Sequence, residues 1–156
     1  MTKYSVREVV EMALQTEKLG YRFYTEMAER FSHDLELKAL MEKLAEAETV
    51  HEHTFARMLE KVPDGQPDGW EEAQPYFRAM MESEFFLGSE KALPNLDHVT
   101  HPRDALDFAI RFEKETALFF VGMKSLVNDT GAVEDIIKEE ASHIQWLSKY
   151  KESLKS

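Results

Sequence analysis

Glu48-Thr49-Val50-His51 and Glu140-Ala141-Ser142-His143 are the two Glu-x-x-His sequences in this 156-residue chain. A large apolar residue follows seven positions after each glutamate, Phe55 and Leu147. Residues three apart share one face of a helix, so each pair can converge on one centre. Outward from them a second repeat appears. Ala13-x-x-x-Glu17-Lys18 followed by Phe23-Tyr24 matches Ala109-x-x-x-Glu113-Lys114 followed by Phe119-Phe120, with identical offsets from the glutamate. The chain therefore reads as one unit used twice, a helix bearing a glutamate followed by a helix bearing Glu-x-x-His.

The punctuation agrees. All five prolines lie between Pro63 and Pro102, which leaves two long blocks free of the main helix breaker. In the first, Val6, Val9, Val10, Ala13, Leu14, Glu17, Tyr21 and Tyr24 fall at three- and four-residue steps, the mark of one helix face. The pattern breaks at Ser32-His33-Asp34 and resumes from Leu37 to Leu59, with Asp34 as a candidate N-cap. The reading is a hairpin over 4–61, its helices spanning 4–31 and 34–61. The second block gives a hairpin over 104–154, with Asp104 as cap, a helix to Val127, a turn at Asn128-Asp129-Thr130-Gly131 and a last helix over 132–154. Between them, the connection 62–103 contains a shorter helix, Trp70 to about Leu87, with Tyr76, Phe77, Phe85 and Phe86 on its apolar side. The fold class expected is all-α, a four-helix bundle of two antiparallel hairpins joined by a long crossover, in one domain over 1–156.

Counting from the turns places the motifs in register. Glu17 lies about 16 residues before the first turn and Glu48 about 15 after it, nearly the same height at 1.5 Å per residue. Glu113 lies about 17 before the second turn, with Glu140 and His143 about 10 and 13 after it. A single glutamate in an apolar stripe ordinarily snorkels to water. Four at one level would repel and be desolvated unless compensated. Two divalent cations supply that compensation, and oxygen and imidazole donors without thiolate suit iron, with manganese or zinc as alternatives. The plainer alternative is a pseudo-symmetric bundle whose acids face solvent.

Composition narrows the rest. Nineteen basic and 30 acidic residues give a net charge of −11, which disfavours nucleic acid as a partner. No apolar run approaches the roughly 20 residues of a membrane helix, and Arg7, Glu8 and Glu11 interrupt any signal-peptide core, so a cytoplasmic location is expected. Zero cysteines remove disulfides, thiolate sites and iron–sulfur clusters.

On Glu17, Glu48-x-x-His51, Glu113 and Glu140-x-x-His143, with flanking Leu44-Ala45-Glu46-Ala47-Glu48 and Ala109-Ile110-Arg111-Phe112-Glu113-Lys114, the chain resembles the rubrerythrin-type di-iron proteins of the ferritin-like superfamily. The resemblance covers about 5–62 and 104–154. It implies a ferritin-like bundle in which Glu17, Glu48, His51, Glu113, Glu140 and His143 hold two iron ions. Glu48 and Glu113, or their symmetry mates, would bridge them. It further implies a non-haem di-iron oxidoreductase that reduces hydrogen peroxide or O2, or oxidises Fe(II). A homodimer is expected. Two departures stand out. No rubredoxin module is present, so a separate electron donor is required. The second glutamate that peroxidase members carry one turn after the third-helix ligand is replaced by Thr116. Tyr24 sits where the family places a tyrosine, and its mate is Phe120, so a hydrogen bond from Tyr24 or Tyr21 to a ligand is expected on one side only.

Other candidates are weaker. His53 points away from His51 on its helix, and His33 reads as a surface residue. His98-x-x-His101 has only Asp97 beside it to complete a zinc site. The alternatives to an enzyme are a non-enzymatic iron-buffering bundle, or a helical interaction protein that pairs through the Trp70–Phe86 segment and keeps a vestigial site.

Overall fold

Ser5 starts the first helix with a capping box: its hydroxyl accepts from the Glu8 N–H, and the Glu8 carboxylate accepts from the Ser5 N–H at 2.6 Å. The computed structural model describes residues 4–82, 96–127 and 130–154. In it α1 spans Val6–Arg30, α2 Leu35–Glu60, α3 Trp70–Met81, α4 Pro102–Met123 and α5 Thr130–Ser153. There is no strand among the described residues. Short ties at 31–34 and 124–129 make α1/α2 and α4/α5 antiparallel hairpins, which meet through α1 against α4 and α2 against α5.

Asp34 caps α2 as expected, accepting from the Leu37 N–H at 3.1 Å. It also accepts from the Tyr150 hydroxyl at 2.6 Å, tying the end of α5 to the start of α2. That bond holds the Asp34 carboxyl below its ordinary range, while burial, together with the bond, raises the Tyr150 hydroxyl.

Three boundaries differ from expectation. The cap of α4 is His101 rather than Asp104. Pro102 takes the first helical position, where its fixed φ and missing N–H cost nothing, and Asp104 falls at the third, accepting from the His101 N–H. At its other end α4 stops at Met123 and tightens into a 3-10 turn, Lys124–Leu126. α5 begins at Thr130, two residues early, so Thr130 and Gly131 are helical rather than part of the turn; Asn128 and Asp129 lie outside the described residues. In the crossover the described part of the helix ends at Met81, and Phe85 and Phe86 lie outside the described residues.

The two described parts of the crossover lie at opposite ends of the bundle. At one end Gln74 of α3 exchanges two hydrogen bonds with the Tyr4 backbone, and Trp70, Phe77 and Met81 are buried. At the other, the Arg30 guanidinium donates to the carbonyls of Leu96 and Val99, whose side chains are buried.

These ends correspond to two apolar clusters. One gathers Val6, Val10, Phe55, Phe77, Phe120 and Ile136, among others. The other gathers Phe23, Met27, Leu44, Leu106, Ala109 and Leu147, among others. Each long helix passes from one cluster to the other, and its motif residues fall in between: Glu17 between Ala13 and Phe23, Glu48 and His51 between Leu44 and Phe55, Glu113 between Ala109 and Phe119, Glu140 and His143 between Ile136 and Leu147. The motif thus forms a polar layer across the middle of the bundle.

α3 is seated on α4 by a close approach. The Tyr76 ring lies over Gly122, where an added Cβ would fall 2.2 Å from the ring, and the Tyr76 hydroxyl donates to the Leu118 carbonyl. Without the ring, Gly122→Ala would stabilise the helix by about 1 kcal/mol through propensity. With it, the substitution is expected to destabilise by about 1–3 kcal/mol through overpacking. Urea denaturation measures the sign, and a gain in stability would contradict this packing.

Candidate metal centre

Four helices each send carboxylate or imidazole groups into the polar layer. Glu17, Glu48, His51, Glu113, Glu140 and His143 are all at most 2% exposed. His51 Nδ1 lies 3.2 Å from Glu140 Oε1 and 3.5 Å from Glu17 Oε2, while His143 Nδ1 lies 3.5 Å from Glu113 Oε1. The two rings are 6.0 Å apart and tilted by 21°. All six residues singled out from the sequence are brought together.

Their atoms fall into two overlapping groups, within each of which one donor atom per residue lies within 4.8 Å of the others. One is Glu17, Glu48 and His51; the other is Glu48, Glu113, Glu140 and His143. Glu48 belongs to both, and Glu140 faces His51 as well as its own group. Glu113 belongs to one group alone, beside His143. The residues placed to be shared are therefore Glu48 and its symmetry mate Glu140.

Among the described residues, the buried side-chain polar atoms left without a hydrogen-bond partner are six in number: Glu17 Oε2, Glu48 Oε1, His51 Nδ1, Glu113 Oε2, Glu140 Oε1 and His143 Nδ1. Each motif residue contributes one. Buried polar atoms are ordinarily paired, and leaving one unpaired costs about 1–3 kcal/mol. Six in one place are a site that the chain does not complete by itself, and two cations are what such a donor set can hold.

The electrostatics agree. Burial pushes the Glu17 carboxyl up, with His51 opposing. Burial and the neighbouring Glu113 push Glu140 well above the ordinary range. Burial works against protonation of His51, but Glu140 and Glu17 overcome it and raise His51 to about 11. Glu113 is held low: burial opposes this, but the neighbouring Glu140 and His143 and the Tyr24 hydroxyl outweigh it. Without metal, protons take the place of the missing positive charge.

Around the six lies a layer of supporting contacts. The Tyr24 hydroxyl, fully buried, donates to Glu113 Oε1 at 2.6 Å. Burial and Glu113 raise that phenol well above its ordinary value, so it stays protonated as a donor. Tyr21 does not join it. It is 42% exposed and lines a groove with Thr49, Val50 and His53 on the outside of α1 and α2. Tyr21 is about 60° round the helix from Tyr24, beyond the edge of the buried face.

Two supports escaped the sequence reading. Thr116 Oγ1 lies 3.0 Å from Glu140 Oε2 and 3.0 Å from the Glu113 carbonyl of its own helix, so its single hydrogen is shared between the two acceptors. The Glu139 carboxylate, 54% exposed, accepts from His51 Nε2 at 2.5 Å. That bond puts the proton on Nε2 and turns Nδ1 inward. Nothing in the sequence separates Glu139 from the other surface acids, because its role depends on how α5 sits against α2. Gly20 does carry a signal, a glycine inside a helix one turn after Glu17. An added Cβ there would fall 3.1 Å from the Glu48 carboxyl carbon. A cavity of about 290 Å³ adjoins His51, walled by Val6, Met58, Val62, Leu126 and Ile136 with Glu139 at its edge. His33, His53, His98 and His101 are all exposed and outside the cluster.

Among curated proteins no sequence relative matches. A crystal structure of a Thermotoga maritima protein assigned as ferritin-like diiron-carboxylate superposes with a TM-score of 0.70 at 24% identity, covering 97% of both chains, which establishes the ferritin-like fold. The sequence profile of rubrerythrin matches residues 8–149, nearly the whole chain, and with it the protein belongs to the rubrerythrin family.

Proposed function

We propose that the chain is a non-haem di-iron oxidoreductase that reduces hydrogen peroxide or O2, with oxidation of Fe(II) as substrate a close variant. The observation that carries this reading is the set of six inward donor atoms without partners, one from each motif residue. Glu17 and His51 would hold one ion, Glu113 and His143 the other, with Glu48 and Glu140 shared. Oxygen and nitrogen donors with no thiolate fit iron. Bound as a pair, iron supplies two electrons, one from each ion, the number that cleaves an O–O bond.

The residues do the remaining work. Glu139 holds His51 in the tautomer that presents Nδ1 to the centre. Tyr24 occupies one oxygen of Glu113 and leaves the other to bind. Phe55 and Phe120 stack at 5.0 Å beside the layer and keep that side dry. The cavity beside His51 combines apolar walls with Arg57, Lys61, Asp135 and Glu139, and has room for a small oxidant. The chain has no cysteine, and electrons to restore Fe(II) come from a separate donor.

Anaerobic titration of metal-free protein with Fe(II) is expected to saturate near about two ions per chain. Addition of peroxide should then give a rapid absorbance change. Metal that binds but stays inert to peroxide would assign the bundle to iron buffering instead. Glu48→Gln keeps the size of the shared ligand but halves its donors, and should lower the stoichiometry or abolish the change.

The metal-free protein is also expected to lose stability as pH rises. His51 in the folded chain holds its proton to about 11 against 6.5 for an ordinary histidine. Its stabilisation is therefore complete below 6.5 and drains away above it. Glu17 and Glu140, raised from 4.5, act in the same direction from lower pH, while Glu113, lowered, contributes a loss only on the acid side of 4.5. Thermal midpoints of metal-free protein should fall from pH 6.5 to 9. Those of metal-loaded protein should stay higher and flatter, because metal replaces the protons. A flat metal-free profile would contradict the buried charged layer.

A further inference from the structure

The two hairpins repeat, yet the supports of their ligands do not. Among the described residues, three hydrogen bonds hold members of the cluster from behind: Tyr24 donates to Glu113, Thr116 to Glu140, and His51 to Glu139. In each, the support takes one atom of the group, and the other is the unpartnered atom that faces the centre: Glu113 Oε2, Glu140 Oε1 and His51 Nδ1. The internal repeat assigns each support a mate. Tyr24 corresponds to Phe120, Thr116 to Gly20 and Glu139 to Ala47. None of these mates has a polar side-chain atom. The ligands they would have served are Glu17, Glu48 and His143. At Gly20 the absence is visible in the packing, since the Glu48 carboxylate lies where a side chain would stand. At Ala47 it is visible as a recess beside His143, bordered by Lys43, Trp146, Ser142 and the Glu46 and Glu139 side chains rather than filled by a side chain of its own.

We propose that the centre is divided into a fixed triad, Glu113, Glu140 and His51, and an adaptable triad, Glu17, Glu48 and His143, which repositions when metal is taken up. Each ion keeps one fixed terminal ligand and one adaptable one, and the shared pair contains one of each. Thr116 is the key positioning residue, because it decides that Glu140 and not Glu48 is the anchored shared carboxylate. This inference rests on the two-metal reading of the site.

Co(II) binding to the metal-free protein tests it, followed by ligand-field absorption and equilibrium competition with a chelator. Thr116→Val removes the hydroxyl at nearly constant shape, and Thr116→Ser restores it. Thr116→Val is expected to weaken Co(II) binding about 10- to 100-fold, as loss of a partner behind a ligand commonly does. It should also alter the absorption bands, and Thr116→Ser should recover both. Crystal structures with and without Zn(II) provide the second measurement. Side chains of Glu113, Glu140 and His51 should superpose, while Glu17, Glu48 and His143 shift. If wild-type protein binds no Co(II), the two-metal reading fails. If it binds two, but Thr116→Val matches wild type or the fixed triad moves as much as the other, the division into triads is wrong and the two-metal reading stands.

Discussion

Four carboxylates and two imidazoles buried at one level of a helical bundle cannot be stable as bare ions. Taking a charge out of water costs several kcal/mol even after the protein relaxes. In the metal-free chain protons absorb that cost, which is why His51, Glu17 and Glu140 hold theirs above their ordinary values. The rest of the architecture serves this layer. Long helices place donors at a common height, and the apolar clusters above and below exclude water.

The repeat made most of this legible. Two Glu-x-x-His pairs, two preceding glutamates and matched distances from the turns lead to six residues that the structure gathers together. Boundaries were less legible. His101 displaced Asp104 as the α4 cap because Pro102 is preorganised for the first turn, a local preference that a search for acidic caps overlooks. Tyr21 and Tyr24 could not be separated by periodicity alone. Both fall at helical steps from Glu17, and which of them lies beyond the edge of the buried face depends on where the neighbouring helices pack.

Supports held across helices were the least legible of all. Glu139 reaches His51 from 88 positions away in sequence, and Thr116 reaches Glu140 across the second hairpin. Pattern within one helix cannot report such pairings. Thr116 is instructive in another way. In sequence it reads as a loss, a threonine where related peroxidases carry a glutamate. In the structure it is a buried hydroxyl within hydrogen-bond reach of the Glu140 carboxylate.

The separation of the apolar interior into two clusters has a consequence for how the chain unfolds. Each of the two large clusters is a packed nucleus at one end of the bundle, and between them lies a seam of groups that prefer water, with the Leu19–Phe112 contact as its one small apolar patch among the described residues. Cooperativity in a small protein comes from contiguous packing, so a seam of this kind lets the two ends open in turn, as separate units with their own exchange rates. Cations bound across it would weld the halves together. The ions would then set not only what the protein reacts with, but whether it melts as one body or two.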